Sequence, residues 1–221
     1  MPKTVITISG LFIGFLTLTA HADVDRAFMT GTFDSIEVSQ GINLNLVMGT
    51  PSSVTASADN DSDLERLEIE VDDGVLEIRR GTWASLLNMG KSYGHVTVNI
   101  VATELQALES SSGASADLVG IVCDDLMLEA SSGSKIEASG NCDTVTIEAS
   151  SGAVVDSSDL ITTEASAESS SGASIKVFAE ERFRGDASSG SSIRVYGSPE
   201  IAESATSSGA RINLRGHPQT I

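Results

Sequence analysis

The sequence predicts an all-β fold, a parallel β-helix or β-solenoid with coils of about 19 residues, preceded by an N-terminal β section that contains a hairpin. Three observations predict it. Ser-Ser-Gly occurs six times, with glycines at Gly113, Gly133, Gly152, Gly172, Gly190 and Gly209. The spacings of 20, 19, 20, 18 and 19 residues are nearly constant. Repetition at this period marks an array whose units bury a core only by stacking on their neighbours. On both sides of each glycine, apolar and polar residues alternate, which is the period of a strand.

The first residues read as a leader. Met1 to Lys3 are weakly basic, Val5 to Leu18 form an apolar run, and Ala20-His21-Ala22 fits a small-x-small cleavage site. This predicts a signal peptide over residues 1–22 and a mature start at Asp23, with residues 23–32 as a short N-terminal segment. A membrane anchor is the alternative, but the apolar run is interrupted and falls short of the roughly 20 residues a span needs. No later segment reads as a transmembrane helix. With no Cys at the cleavage site, no lipid anchor is expected.

Residues 33–107 read as the N-terminal β section. Leu67, Ile69 and Val71 alternate, Asp73-Gly74 makes a two-residue turn, and Leu76 and Ile78 alternate back, a hairpin signal. Ile36 with Val38, Leu44 with Leu46, and Val96, Val98 and Ile100 give further strands. No linker separates this section from residues 108–216, which read as six Ser-Ser-Gly coils of the same domain, followed by a tail over 217–221.

Aligned on their glycines, the coils show columns. Three residues after Gly stand Ala116, Ile136, Val155, Ile175, Ile193 and Ile212; five after stand Leu118, Ala138, Ser157, Val177, Val195 and Leu214. Between them lie Asp117, Glu137, Asp156, Lys176, Arg194 and Asn213. The first two columns are expected inside and the third outside. Each coil is thus strand, Ser-Ser-Gly bend, strand, second bend, with Gly120, Gly140, Gly197 and Gly216 at the second bend. Five before Gly, the inward residues shrink from Leu108, Leu128 and Ile147 to Ala167, Gly185 and Ser204, which predicts a narrowing tube. Arg211, Arg215 and Pro218 are residues that blunt an open sheet edge at the last coil.

Cys123 and Cys142 lie one period apart, so they should stack on successive coils at about the 4.8 Å strand spacing. That separation suits a disulfide, which an exported compartment permits. A metal pair would need further ligands. No metal and no cofactor is expected.

Gly41-Ile42-Asn43 stands behind Phe33-Asp34-Ser35-Ile36-Glu37-Val38 and ahead of the hairpin and the Ser-Gly train. In this order the motifs resemble the family described as "putative auto-transporter adhesin, head GIN domain", over about Phe33 to Leu214. The resemblance implies a bacterial, exported, β-helix-like domain with a suggested role in adhesion. The chain departs from the autotransporter picture in carrying no recognisable C-terminal barrel segment or trimeric stalk, and reads as a free head domain.

The net charge of −18 argues against nucleic acid and anionic membranes as partners. Four residues before the glycines run Glu109, Glu129, Glu148, Glu168 and Asp186, an expected outward column of carboxylates. Neighbours at about 4.8 Å repel by just under ~1 kcal/mol in water. Divalent cations or a basic partner would relieve this; splayed, solvated side chains would too. The paired serines form a second ladder, read either as a hydroxyl array for ice or sugar or as residues suited to tight corners.

Residues 81–94 hold Trp83 and Tyr93 within an apolar loop, read as a partner-binding patch or as a cap over the first coil. Phe178 and Tyr196 occupy equivalent outward positions on adjacent coils and complete the candidate interaction surface. Catalysis finds no motif: His95 and His217 are far apart, and no nucleophile elbow or phosphate loop occurs. The leading reading is an exported non-enzymatic solenoid that meets an unidentified surface or envelope ligand, protein or glycan, and leaves homo-oligomers open. It would reside in the periplasm, at the cell surface or outside the cell. A periplasmic carbohydrate-binding or carbohydrate-processing protein and a structural envelope component are the alternatives.

The column assignments carry their own test. Ile136→Asp or Ile175→Asp should lower the melting temperature sharply by burying an unpaired charge, whereas Glu129→Ala should leave it unchanged or slightly raised. Equal effects would invert the assignment of inside and outside.

Overall fold

The computed structural model describes residues 24–81 and 94–216. The leader, the loop holding Trp83 and Tyr93, and the tail from His217, Pro218 included, lie outside the described residues. The strands are β1 (Val24–Phe28), β2 (Ser35–Val38), β3 (Asn43–Met48), β4 (Ser53–Ala58), β5 (Leu67–Asp72), β6 (Val75–Arg80), β7 (Val96–Ala102) and β8 (Ala107–Ser110). The long bent strands β9 (Ser115–Ala130), β10 (Lys135–Ala149) and β11 (Val154–Ser169) follow. Then come β12 (Ser174–Ala179), β13 (Arg182–Ala187), β14 (Ser192–Gly197), β15 (Glu200–Thr206) and β16 (Arg211–Leu214). A single helical turn, α1 (Asp61–Leu64), is capped by Asn60, whose side chain accepts from the Asp63 N–H at 3.1 Å. No helix among the described residues is long and apolar enough to cross a membrane.

The Ser-Ser-Gly corner generates the solenoid. In all six, the second serine sits at φ between 50° and 53° and the glycine between 72° and 78°. Two successive positive φ values define a type I′ turn. It is closed by an N–H to C=O bond such as Ala114 to Ser111, 3.0 Å. The first five corner glycines each donate their N–H to the carbonyl of the second serine of the next coil, as Gly113 does to Ser132 and Gly190 to Ser208, each at 3.1 Å. The turns therefore stack in parallel, and the strands on either side pair in register from β9 through β16.

The inward columns are as the alternation predicts through the first five coils, but not in the last, where Leu214, expected inside, lies on the open end and is exposed. Ile136, Val155, Ile175 and Ile193 have no exposed surface, nor have Leu118, Val177 and Val195. Two further details differ. Each full coil has three corners: the alternation breaks at Val119-Gly120 and again at Asp124-Asp125 in β9, and likewise at Ser158-Asp159 and Thr163-Glu164 in β11. The third corner carries no glycine, so nothing in the glycine pattern marks it. The tube does not simply narrow either, because the fully buried Phe183 ring lies over Gly185, where an added Cβ would come within 2.6 Å of it.

The N-terminal section is part of the same sheet, in permuted order. β2 lies between β6 and β8, and β3 between β7 and β9, all parallel. Ser39-Gln40-Gly41 thus replaces Ser-Ser-Gly in a coil of its own. Gln40 (φ 61°) and Gly41 (φ 70°) repeat the corner geometry, and the Gly41 N–H donates to Ser112 at 3.1 Å. β6 and β7 form the coil beyond. The predicted hairpin turns at Asp73-Gly74, pairing β5 antiparallel to β6, while β4 and β1 add antiparallel strands outside β7. Leu64 of α1 is fully buried, closing this end. At the other end Ile212 is half-buried and Leu214 is 56% exposed, and among the described residues β15 and β16 pair on one side only.

Two glycines are fixed by close approach. A Cβ on Gly140 would lie 2.2 Å from the Ile121 carbonyl oxygen, and one on Gly197 would lie 2.1 Å from that of Ala179. Around Gly113 the space is open. Gly113→Ala should therefore cost only the left-handed penalty of about 1–2 kcal/mol, and Gly140→Ala clearly more, in urea unfolding of the two variants. Equal losses would show that the coils do not touch there.

Candidate functional site

The carboxylate column forms as the register requires, and it is longer than the glycine alignment indicated. Glu109, Glu129, Glu148, Glu168 and Asp186 are partners on successive strands. The permuted coils extend it, because Glu37 pairs with Glu109 and Glu77 with Glu37. Glu70 pairs with Glu77 across the hairpin, so eight acidic side chains stand in line. At the capped end Arg79 bridges the first of them, contacting Glu77, Glu68 at 3.1 Å and Glu70 at 3.8 Å. From Glu109 to Asp186 none forms an ion pair with another described residue. These residues flank an open groove of about 470 Å³, whose other wall is the first serine of each corner, Ser131 to Ser207.

A second outward column shows what compensation looks like. Asn99, Asn45, Asp117, Glu137, Asp156, Lys176, Arg194 and Asn213 are successive partners. Asn45 donates to Asn99 at 2.9 Å, Lys135 meets Glu137 at 2.7 Å, and Lys176 meets Asp156 at 2.6 Å. Burial alone would raise the Asp156 carboxyl, but donation from Lys176 and from both Ser158 groups outweighs it and holds the acid below its ordinary range. The same hydrogen bond raises the Lys176 ammonium. Among the described residues no group of three or more His, Cys, Asp or Glu is arranged to hold a metal ion.

Cys123 and Cys142 are joined in a disulfide between β9 and β10, with Cα atoms 4.7 Å apart. Phe178 and Tyr196 are register partners, but Phe178 is only 4% exposed and is not the exposed ring expected of it. Its coil is two residues shorter than the one before, since Val177 pairs with Ser157 and Arg182 with Glu164. The shortening draws the strand inward at Phe178, whose carbonyl accepts the Thr162 hydroxyl at 2.5 Å. Tyr196 remains half-exposed. Trp83 and Tyr93 fall outside the described residues; their loop leaves at Gly81 and returns at Gly94. Its two ends are held at the GIN corner, where Arg80 Nε donates to the Gln40 carbonyl (3.1 Å) and Nη2 to that of Gly94 (3.0 Å).

A family model described as "putative auto-transporter adhesin, head GIN domain" matches residues 32–199. The chain belongs to the head GIN domain family. Among solved structures, a putative adhesin from Bacteroides fragilis NCTC 9343 superposes at a TM-score of 0.66 with 14% identity, over 89% of this chain and 98% of that one. A putative lipid binding protein from Parabacteroides distasonis ATCC 8503 gives 0.52 with 17% identity, over 87% and 96%. A putative adhesin from Parabacteroides merdae ATCC 43184 gives 0.52 with 10% identity, over 87% and 96%. At such identities the likeness is one of fold. No functionally curated protein matches this head GIN chain.

The Asp156–Lys176 bridge gives a pH test. The lowered acid contributes stability that is present above its unfolded value and lost as pH falls through the folded one. The raised lysine contributes stability present below its unfolded value and lost as pH rises through the folded one. Lys176→Met should therefore destabilise by about 1 kcal/mol or less at neutral pH, and the deficit should vanish in acid below the ordinary carboxylate range. Denaturant midpoints across pH check this.

Proposed function

We propose that this head GIN chain is an exported, non-enzymatic solenoid that presents its flank for adhesion or protein interaction. The carboxylate column carries the reading: five acids stand at strand spacing without a cation among the described residues, although a neighbouring column of the same sheet is compensated. Like charges opposite one another weaken a sheet, and a partner that meets them recovers the loss. Repetition at each coil suits many weak contacts in parallel, whose combined strength exceeds any single one. Tyr196, Trp83 and Tyr93 are the aromatic contacts proposed alongside the column. The family and two of the three structural neighbours carry adhesin names, which agrees with this role; the third is named a putative lipid binding protein. The Cys123–Cys142 bond agrees with an oxidising compartment reached through the leader over residues 1–22.

Protease shaving of intact producing cells, with a periplasmic protein as control, tests the proposal. Digestion of this chain alone is the expected result and assigns it to the cell surface. Protection until the outer membrane is opened would remove the adhesive role and leave binding within the envelope.

A further inference from the structure

A second open groove, larger than that along the carboxylate column, lies elsewhere on the tube. It runs along the third corner of the coils, with a volume of about 980 Å³, and extends from Thr103 before β8 to Glu180 after β12. Its floor carries the Cys123–Cys142 disulfide. The disulfide fastens two neighbouring coils at the point where the backbone turns, so the groove is preformed, and a preformed site loses less freedom on binding.

Two features of the groove are not explained by folding. Val122 is 73% exposed and Met127 38% exposed, although both stand on outward positions of a strand where polar residues predominate. They flank the corner on either side. Ile161 continues the Val122 side two coils on, through the register Val122, Asn141, Ile161. The rim is acidic: Asp124, Asp125, Asp143 and Glu180 line it and form no ion pair with a described residue. Among the described residues no Lys, Arg or His lines the groove. Arg182, just beyond Glu180, is engaged by Glu164 at 2.5 Å.

We infer that this groove receives a short cationic segment of a partner protein in which apolar residues alternate with Lys or Arg. The apolar side chains would lie against Val122, Met127 and Ile161, and the cations would meet the carboxylates of the rim. An acidic partner is repelled, and a purely apolar one leaves four carboxylates unanswered. The inference rests on the reading of this chain as an interaction protein and adds a second surface, with its own chemistry, to the carboxylate column.

The test uses the whole mature chain and a fluorescein-labelled peptide of alternating Lys and Leu, followed by anisotropy near physiological salt, where long-range attraction is screened within about 8 Å. The wild-type chain should bind saturably. Val122→Thr with Met127→Gln, and separately Asp124→Asn with Asp125→Asn and Asp143→Asn, should each weaken binding by about tenfold or more, as loss of central contacts does. All substituted side chains lie on the outside of the fold, and unchanged melting curves confirm that the variants are folded. Asp25→Asn with Asp59→Asn and Asp72→Asn removes as many exposed charges from outside both grooves and should change affinity by less than about threefold. Equal losses in the two charge variants would reduce the effect to net charge and overturn the inference. So would equal binding of a Lys-Ser peptide, or no binding by the wild-type chain. None of these results bears on protease shaving, which tests location, so the two readings fail separately.

Discussion

Everything in this fold hangs on one hydrogen bond repeated along the tube, from the N–H of a corner glycine to the carbonyl of the left-handed serine in the next coil. With both central residues at positive φ, the corner turns its peptide groups toward the neighbouring coils. One coil thereby dictates the register of the next. The inward columns, the outward columns and the disulfide follow from that register without further instruction. Left-handed backbone is uncommon for residues other than glycine, and here a serine adopts it at each of the six corners. The stacked bonds and the buried columns beside them over-determine the conformation.

The same register that aligns isoleucines inside aligns carboxylates outside. A solenoid has no means of offsetting one column relative to another, so like charges at a repeating position must face each other at every step. The chain meets this in two ways. On one flank Lys135 and Lys176 intervene, and Ser158 supplements the lysine at Asp156. On the other, Arg79 answers only the first members of the line. The contrast lies within a single sheet, so it reflects the choice of side chains and not the architecture.

Much of this was legible in the sequence, because the glycines act as an address. Counting from them located the inward columns, the disulfide partners and most of the acidic line. The hairpin was readable from Asp73-Gly74. The permuted coils were not recognised, although their signal was present: Glu37 stands four residues before Gly41, and Glu77 four before Gly81, as Glu109 does before Gly113. What hid them was the absence of the serines, since Gln40 takes one serine's place before Gly41 and Arg79-Arg80 take both before Gly81. The third corner was missed because it needs no glycine, and the groove along it was missed in turn. Phe178 was misplaced because a coil shortened by two residues changes which side of a strand is covered, and periodicity alone does not register that.

The insertion of β2 and β3 between coils that come later in the chain has a mechanical meaning. Tension entering through β16 peels one coil after another, each detaching from a single neighbour, and this end unravels in steps. Such peeling is arrested at the disulfide, which binds β9 to β10 covalently. At the opposite end only β1, paired with β4 alone, detaches in that manner. The first coil there is gripped on both sides by strands drawn from distant parts of the chain, so withdrawing it means shearing two ladders at once. The tube is therefore polar in strength, with one end made to yield gradually and the other to hold.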